Sequence, residues 1–102
     1  MTTSEKFSIV KAACNQQKIC AVKLVGEPAS RIIQPIGVCL TAKRGLIIVC
    51  KQTGGYFHGK SVPKTCNFAI ENCESIRIVN ENFEVPIPAL DSDLCTDWLV
   101  RV

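Results

Sequence analysis

The sequence predicts a mainly β domain, an antiparallel meander or small barrel with a helix at each end. Three observations carry this. Helical spacing of apolar residues is confined to about residues 4–16 and 92–101. Between them, about five β-rich runs are separated by turns of a few residues, whereas parallel strands need a crossover of roughly a dozen residues. With 102 residues, the chain makes one domain over 1–102 with a real but small core.

Thr2-x-x-Glu5 fits a capping box, and Phe7, Val10, Ala13 and Cys14 recur at helical spacing with Ile9 alongside, so a helix is expected over about 4–16. The barrel is expected over about 18–88. From Lys18 to Val25 the chain is β-rich, and Gly26-Glu27-Pro28 turns it. Arg31 to Leu40 reads as a second strand interrupted at Pro35, which cannot donate to a ladder and marks an edge, a bulge or a bend. Lys43-Arg44-Gly45 is a tight basic turn, and Leu46 to Lys51 is apolar on both faces, as a central strand would be. A loop over Gln52–Thr65 follows, then short strands over Asn67–Ile70 and Ser75–Val79, then an extended Glu84–Pro88. Asp91-Ser92-Asp93 can cap a terminal helix over about 92–101, in which Leu94, Cys95, Trp98, Leu99 and Val102 share a face.

Composition excludes several classes. No tract approaches the ~18 apolar residues that cross a membrane, and Met1 to Lys6 lacks a signal-type apolar stretch, so a cytoplasmic protein is expected. The seven cysteines (14, 20, 39, 50, 66, 73 and 95) contain no C-x-x-C pair, and His58 is the only histidine. Buried thiols filling the core are therefore expected, rather than a metal site, a disulfide framework or a Cys nucleophile. The net charge is +3 but unevenly placed: residues 1–66 carry +8 and residues 67–102 carry −5. Such asymmetry suits an anionic partner, head-to-tail self-association, or pairing of the two segments within the fold.

Residues 54–61, GGYFHGKS, match the phosphate-loop pattern G-x-x-x-x-G-K-[ST] directly after an apolar run. In such a loop glycine N–H groups converge on phosphate, Lys60 would reach the terminal phosphates and Ser61 would hold magnesium. The context is wrong for it. Ser61 to Asn67 lacks an apolar helical face, and the run Ser75–Val79 ends in Asn80 where a metal-organising carboxylate belongs. A Gly-rich hairpin loop is the expected structure, with no cofactor.

The order of elements resembles the WYL domain, a small SH3/Sm-like barrel preceded by a helix. Ile9 and Ala12 match its helix, and Ile19 to Leu24 its first strand. Arg31, Ile33, Pro35, Gly37 and Val38 match its R-x-V-x-P-x-G-L strand, Leu46-Ile47-Ile48 its naming tripeptide, and Phe68 to Cys73 its F-R-L-D-R-I segment. The resemblance covers about residues 7–79 and is stronger at apolar and turn positions than at polar ones. It implies a ligand- or nucleic-acid-binding module. The family's aromatic pair and later arginines are replaced here by Leu46, Ile47, Ala69 and Asn72, so the fold carries over more readily than the sensing site. The helix-turn-helix typical of family regulators has no counterpart in this sequence.

The leading functional expectation is a non-enzymatic, stand-alone regulatory or accessory module. Its contact surface would be Arg31, Lys43, Arg44, Lys51, Tyr56, His58, Lys60 and Lys64, with Phe57 beside them. Aromatic groups interleaved with cations suit single-stranded nucleic acid or another anionic ligand through stacking and phosphate contact. The alternative is a protein–protein or homo-oligomer interface through Leu94, Trp98 and Leu99, and a nucleotide-binding protein using Gly54–Ser61 comes third.

Overall fold

A computed structural model describes residues 1–43, 45–56, 64–84 and 97–101, without the side chains of Lys64 and Arg101. It is mainly β, with one N-terminal helix packed on a six-stranded antiparallel sheet.

Helix α1 spans Thr3–Gln16. The capping box forms: the Thr2 hydroxyl accepts from the Glu5 N–H at 3.1 Å, and Glu5 accepts from the Thr2 N–H at 3.3 Å. Gln17 ends the helix in the left-handed conformation, its N–H reaching back to Ala13 and Cys14 carbonyls. One helical face is buried through Val10, Ala13 and Cys14. It also carries Lys6, buried with its ammonium donating to the carbonyls of Ile70 and Cys73, each at 2.9 Å. A charge is tolerated inside because it is hydrogen-bonded there.

The strands are β1 (Lys18–Leu24), β2 (Arg31–Thr41), β3 (Gly45–Gly55), β4 (Lys64–Ala69), β5 (Cys73–Asn82) and β6 (Asp97–Arg101). Their order is β4-β3-β2-β1-β5, with β6 added to β2. A single 3-10 turn, Ile70–Asn72, joins β4 to β5, although these strands lie at opposite ends of that order. The sheet must therefore curl until its ends approach, as in a small barrel, and the ladder pairs described do not close it between β4 and β5.

The concave face holds the main core: Val10, Ala13 and Cys14 of α1 against Val22, Ile33, Val38, Ile48, Phe68, Ile70, Ile76 and Val100. A second cluster, Ile36, Cys39, Ile47 and Val49 with Trp98 packed on it, occupies the alternate positions of β2 and β3. This explains why both faces of β3 read as apolar. It is the central strand the sequence implied, flanked by β2 and β4.

Strand β2 is shared. Its first part pairs with β1 (Arg31, Ile32 and Ile33 opposite Val22, Ala21 and Cys20), while Gly37 to Leu40 pair with β6. The register against β3 shifts between Pro35 and Gly37, so Pro35 marks a bulge where β2 changes partners.

Two expectations need correction. Residues 97–101 are strand β6, not the end of a terminal helix. Beyond the β1 pairing, the N–H and C=O groups of Gly37 to Leu40 need ladder partners on that edge, and β6 supplies them. Trp98, Leu99 and Val100 have strand-forming side chains to match. A helix would leave that edge open. Cys39 also departs from the expected core of thiols, because it is disulfide-bonded. Its partner is not among the other described cysteines, 14, 20, 50, 66 and 73, which are reduced. The expected extended run Glu84–Pro88 lies, apart from Glu84, outside the described residues, as do the helix cap at 91–93 and Leu94.

The uneven charge is met in part inside the fold. Strand β1 of the basic segment pairs with β5 of the acidic one, and Lys23 reaches Glu74 at 3.1 Å across the ladder. Lys18 donates to Asn80 and Asn82 on the same strand.

Candidate functional site

The segment that matches a phosphate loop runs from strand to strand. Gly54 and Gly55 are the last residues of β3, in register with Ile32 and Arg31 of β2. The chain resumes at Lys64 as β4, antiparallel to β3. A phosphate loop would instead be continued by a helix, whereas the chain described from Lys64 is strand β4. Gly55 has φ +75°, and a side chain there would meet the Ser30 carbonyl at 2.5 Å. Gly55 is thus needed for turning the chain and packing it against β2, whereas a Cβ at Gly54 would meet Ile32 at an ordinary 3.8 Å.

The base of this hairpin is held by a buried polar cluster. Arg31 is 8% exposed, and its Nε donates to Glu27 Oε1 at 2.9 Å while Nη2 donates to Oε2. Nη1 donates to Gln52 Oε1 at 3.0 Å. The Gln52 amide then donates to the carbonyls of Gly54 (3.1 Å) and Tyr56 (2.7 Å), and the Tyr56 N–H bonds Ser30 O. The guanidinium lies 5.2 Å from the Phe68 ring centroid and 5.9 Å from that of Tyr56. The hydrogen-bonded carboxylate of Glu27 pushes the Arg31 pKa up, overriding the opposing effect of burial. Every buried side-chain nitrogen and oxygen described has a partner. The cluster is a lock between the β1–β2 turn and the β3–β4 hairpin.

The eight expected contact residues are not all gathered. Arg31 is spent internally on Glu27 and Gln52, so its place on an anion surface is corrected to a positioning one. Tyr56 is half-buried against it, and Lys51 is a half-buried strand residue in register with Gln34 and Thr65. Lys64 opens β4 opposite Gln52. Arg31, Lys51, Tyr56 and Lys64 therefore share one end of the sheet. Lys43 sits exposed in the β2–β3 turn, at the other end of β3, up to ~33 Å away along extended chain. Arg44, Phe57, His58 and Lys60 lie outside the described residues.

Near Lys43, Thr3, Gly45, Leu46, Ile70 and Glu71 line a shallow depression of about 80 Å³, well under the ~300 Å³ of a usual small-molecule site. Among the described residues no group of three or more His, Cys, Asp or Glu is placed to hold a metal ion, and no helix is long and apolar enough to cross a membrane.

Sequence reasoning missed Glu27, Gln52 and Phe68. A signal existed for two of them. Glu27 stands four residues before Arg31, and Gln52 interrupts an apolar strand next to two glycines.

Of the interface candidates, Trp98 lies over Gly37, where a Cβ would meet its ring at 2.5 Å. Leu99 is 51% exposed and occupies the register shift in the β2–β6 pairing, between Trp98 (opposite Cys39) and Val100 (opposite Val38). No family model, no curated protein and no solved structure matches this chain.

Proposed function

We propose that the protein is a non-enzymatic, cytoplasmic, WYL-like binding module that presents the end of its β3–β4 hairpin to an anionic ligand, with single-stranded nucleic acid as the class. The reading rests on one observation: the Arg31–Glu27–Gln52 lock fixes the base of the hairpin and seats Tyr56 beside it. The lock neutralises its own arginine. The charge offered to a ligand then comes from Lys51, and from Lys60 and Lys64 of the connecting segment, with Tyr56, Phe57 and His58 as stacking groups. Preorganising the base lowers the ordering cost of binding there.

The test is fluorescence anisotropy with labelled oligo(dT) and oligo(U) at stepped salt. Binding should weaken steeply as salt rises, with a log–log slope of about −0.7 per phosphate neutralised on a single strand. Replacing both Lys60 and Lys64 by Ala should shallow that slope by about 1.4 if each meets a phosphate. Absence of binding at low salt, or a flat salt response, would sink the proposal.

A second reading, a homo-oligomer or protein–protein interface, is favoured by the exposure of Leu99 and Leu40 (51% and 47%) at and opposite β6. Light scattering across a concentration series distinguishes it. A monomer at every concentration counts against self-association.

A further inference from the structure

Cys50 of β3 and Cys66 of β4 are directly opposed in the ladder, and their sulfurs are 3.5 Å apart. The two thiols differ in access. Cys50 is fully buried, whereas Cys66 is partly exposed. They also differ in electrostatics. Arg31 lies close enough to Cys66 for a thiolate there and the guanidinium to attract each other, and a nearby cation favours the thiolate. Burial pushes the Cys14, Cys20 and Cys73 thiols up to about 12, about 12 and about 11, and it holds Cys50 well above its usual range. Cys14, Cys20 and Cys73 therefore stay protonated at neutral pH, and Cys50 does so until a base formed beside it takes its proton. One reachable sulfur thus sits against one sheltered sulfur, the arrangement of an attacking thiol with a resolving partner.

We propose that Cys50 and Cys66 form a redox-active dithiol, which low-molecular-weight disulfides of the glutathione type convert to a cross-strand disulfide. In the first step the Cys66 thiolate attacks one sulfur of the small disulfide. A mixed disulfide forms, the small S–S bond breaks, and one small thiolate leaves. In the second step Cys50 gives up its proton to that departing thiolate and attacks Cys66 Sγ, expelling the second small thiolate, which takes its proton from water. The protein loses two electrons and two protons, and the small disulfide is reduced to two thiols.

The geometry permits this. The sulfurs must close from 3.5 Å to about 2.0 Å, which side-chain rotation supplies in large part. Opposed residues of an antiparallel pair hold their Cβ atoms about 4.5–5.5 Å apart, slightly beyond the range of about 3.5–4.5 Å that a relaxed disulfide takes. The bond therefore draws β3 and β4 together and stays reducible, as suits a reversible switch. It would pin the two strands just below the segment that joins them, whatever that segment binds.

The test incubates the native full-length chain with oxidised glutathione, blocks remaining thiols with N-ethylmaleimide and maps non-reduced peptides. The expected product is a peptide carrying Cys50 joined to Cys66, lighter by two hydrogens than the dithiol, as the main new disulfide. Cys50→Ala should instead accumulate a stable glutathione adduct on Cys66, and Cys66→Ala should leave Cys50 unmodified. The wild-type map decides the matter even if a variant folds poorly. A stable adduct on wild-type Cys66 without the cross-link, a new disulfide at Cys14, Cys20 or Cys73 instead, or no change at all would each overturn the proposal.

Discussion

Replacing Gln52 by Leu isolates the lock at the hairpin base. The side chain is fully buried and serves three partners: the Arg31 guanidinium, and the carbonyls of Gly54 and Tyr56. Leu has nearly the same volume, so cavity formation contributes little. Each stranded partner costs about 1–3 kcal/mol when fully buried. Both carbonyl contacts are only part-buried, which places the three together near 3–4 kcal/mol. Burying a leucine returns about 1.5 kcal/mol, leaving a net loss of about 2 kcal/mol. With a urea slope of about 1–2 kcal/mol/M, the unfolding midpoint should fall by about 1–2 M. If Arg31 and Gln52 act as one unit, the same change on an Arg31→Met background should cost at least ~1 kcal/mol less. A Gln52→Leu protein within about 0.5 kcal/mol of wild type, or strict additivity with Arg31→Met, would refute the account of the lock.

Gly37→Ala should push the Trp98 ring off β2, because the added carbon would sit 2.5 Å from both the ring and the Val100 carbonyl; the expected cost is about 1–3 kcal/mol, with a red-shifted and more quenchable tryptophan emission. Alkaline pH should destabilise the fold through its buried thiols. Their folded pKa values lie at about 12, 12 and 11, above the ordinary value of 9.0, so the native state keeps protons that the unfolded state gives up. That contribution is complete below about pH 9 and is lost as pH rises toward 11–12. With Cys50, also held well above its usual range, four such thiols give a slope approaching about 5 kcal/mol per pH unit near pH 10. Urea melts at stepped pH measure it, and the Cys14→Ala/Cys20→Ala protein, which keeps Cys50 and Cys73, should show about half of that slope.

Much of the fold was legible because local chemistry and global packing agree. The Thr2–Glu5 box, the Pro35 interruption and the doubly apolar β3 each correspond to a feature found, namely the helix start, the bulge and the central strand. The end of the chain was misread because Leu94, Trp98 and Leu99 fit a helical spacing as well as a strand. The choice was made by an edge of β2 some sixty residues away, which no local window contains. The candidate site was legible only in composition. Sequence places Arg31, Lys43 and Lys51 in one basic stretch, but the eleven-residue strand β2 carries Lys43 to the far end of the sheet from Arg31, and a carboxylate four positions away takes up the arginine. Lys6 is buried because the 3-10 turn and the first residue of β5 each offer a carbonyl that the sequence does not advertise.

The sharing of β2 has a consequence for how the protein behaves in a crowd. Where β1 leaves off, the stretch Gly37 to Leu40 is apolar and uncharged, the kind of strand edge that recruits strands from neighbouring chains. Strand β6 occupies that template from within the same molecule, and it ends the ladder with Asp97 and Arg101, two residues of opposite charge. It thus works as an internal edge guard. Loss of the last strand would leave the helix and the five-strand meander their own contacts, but it would turn the middle of β2 into an aggregation seed.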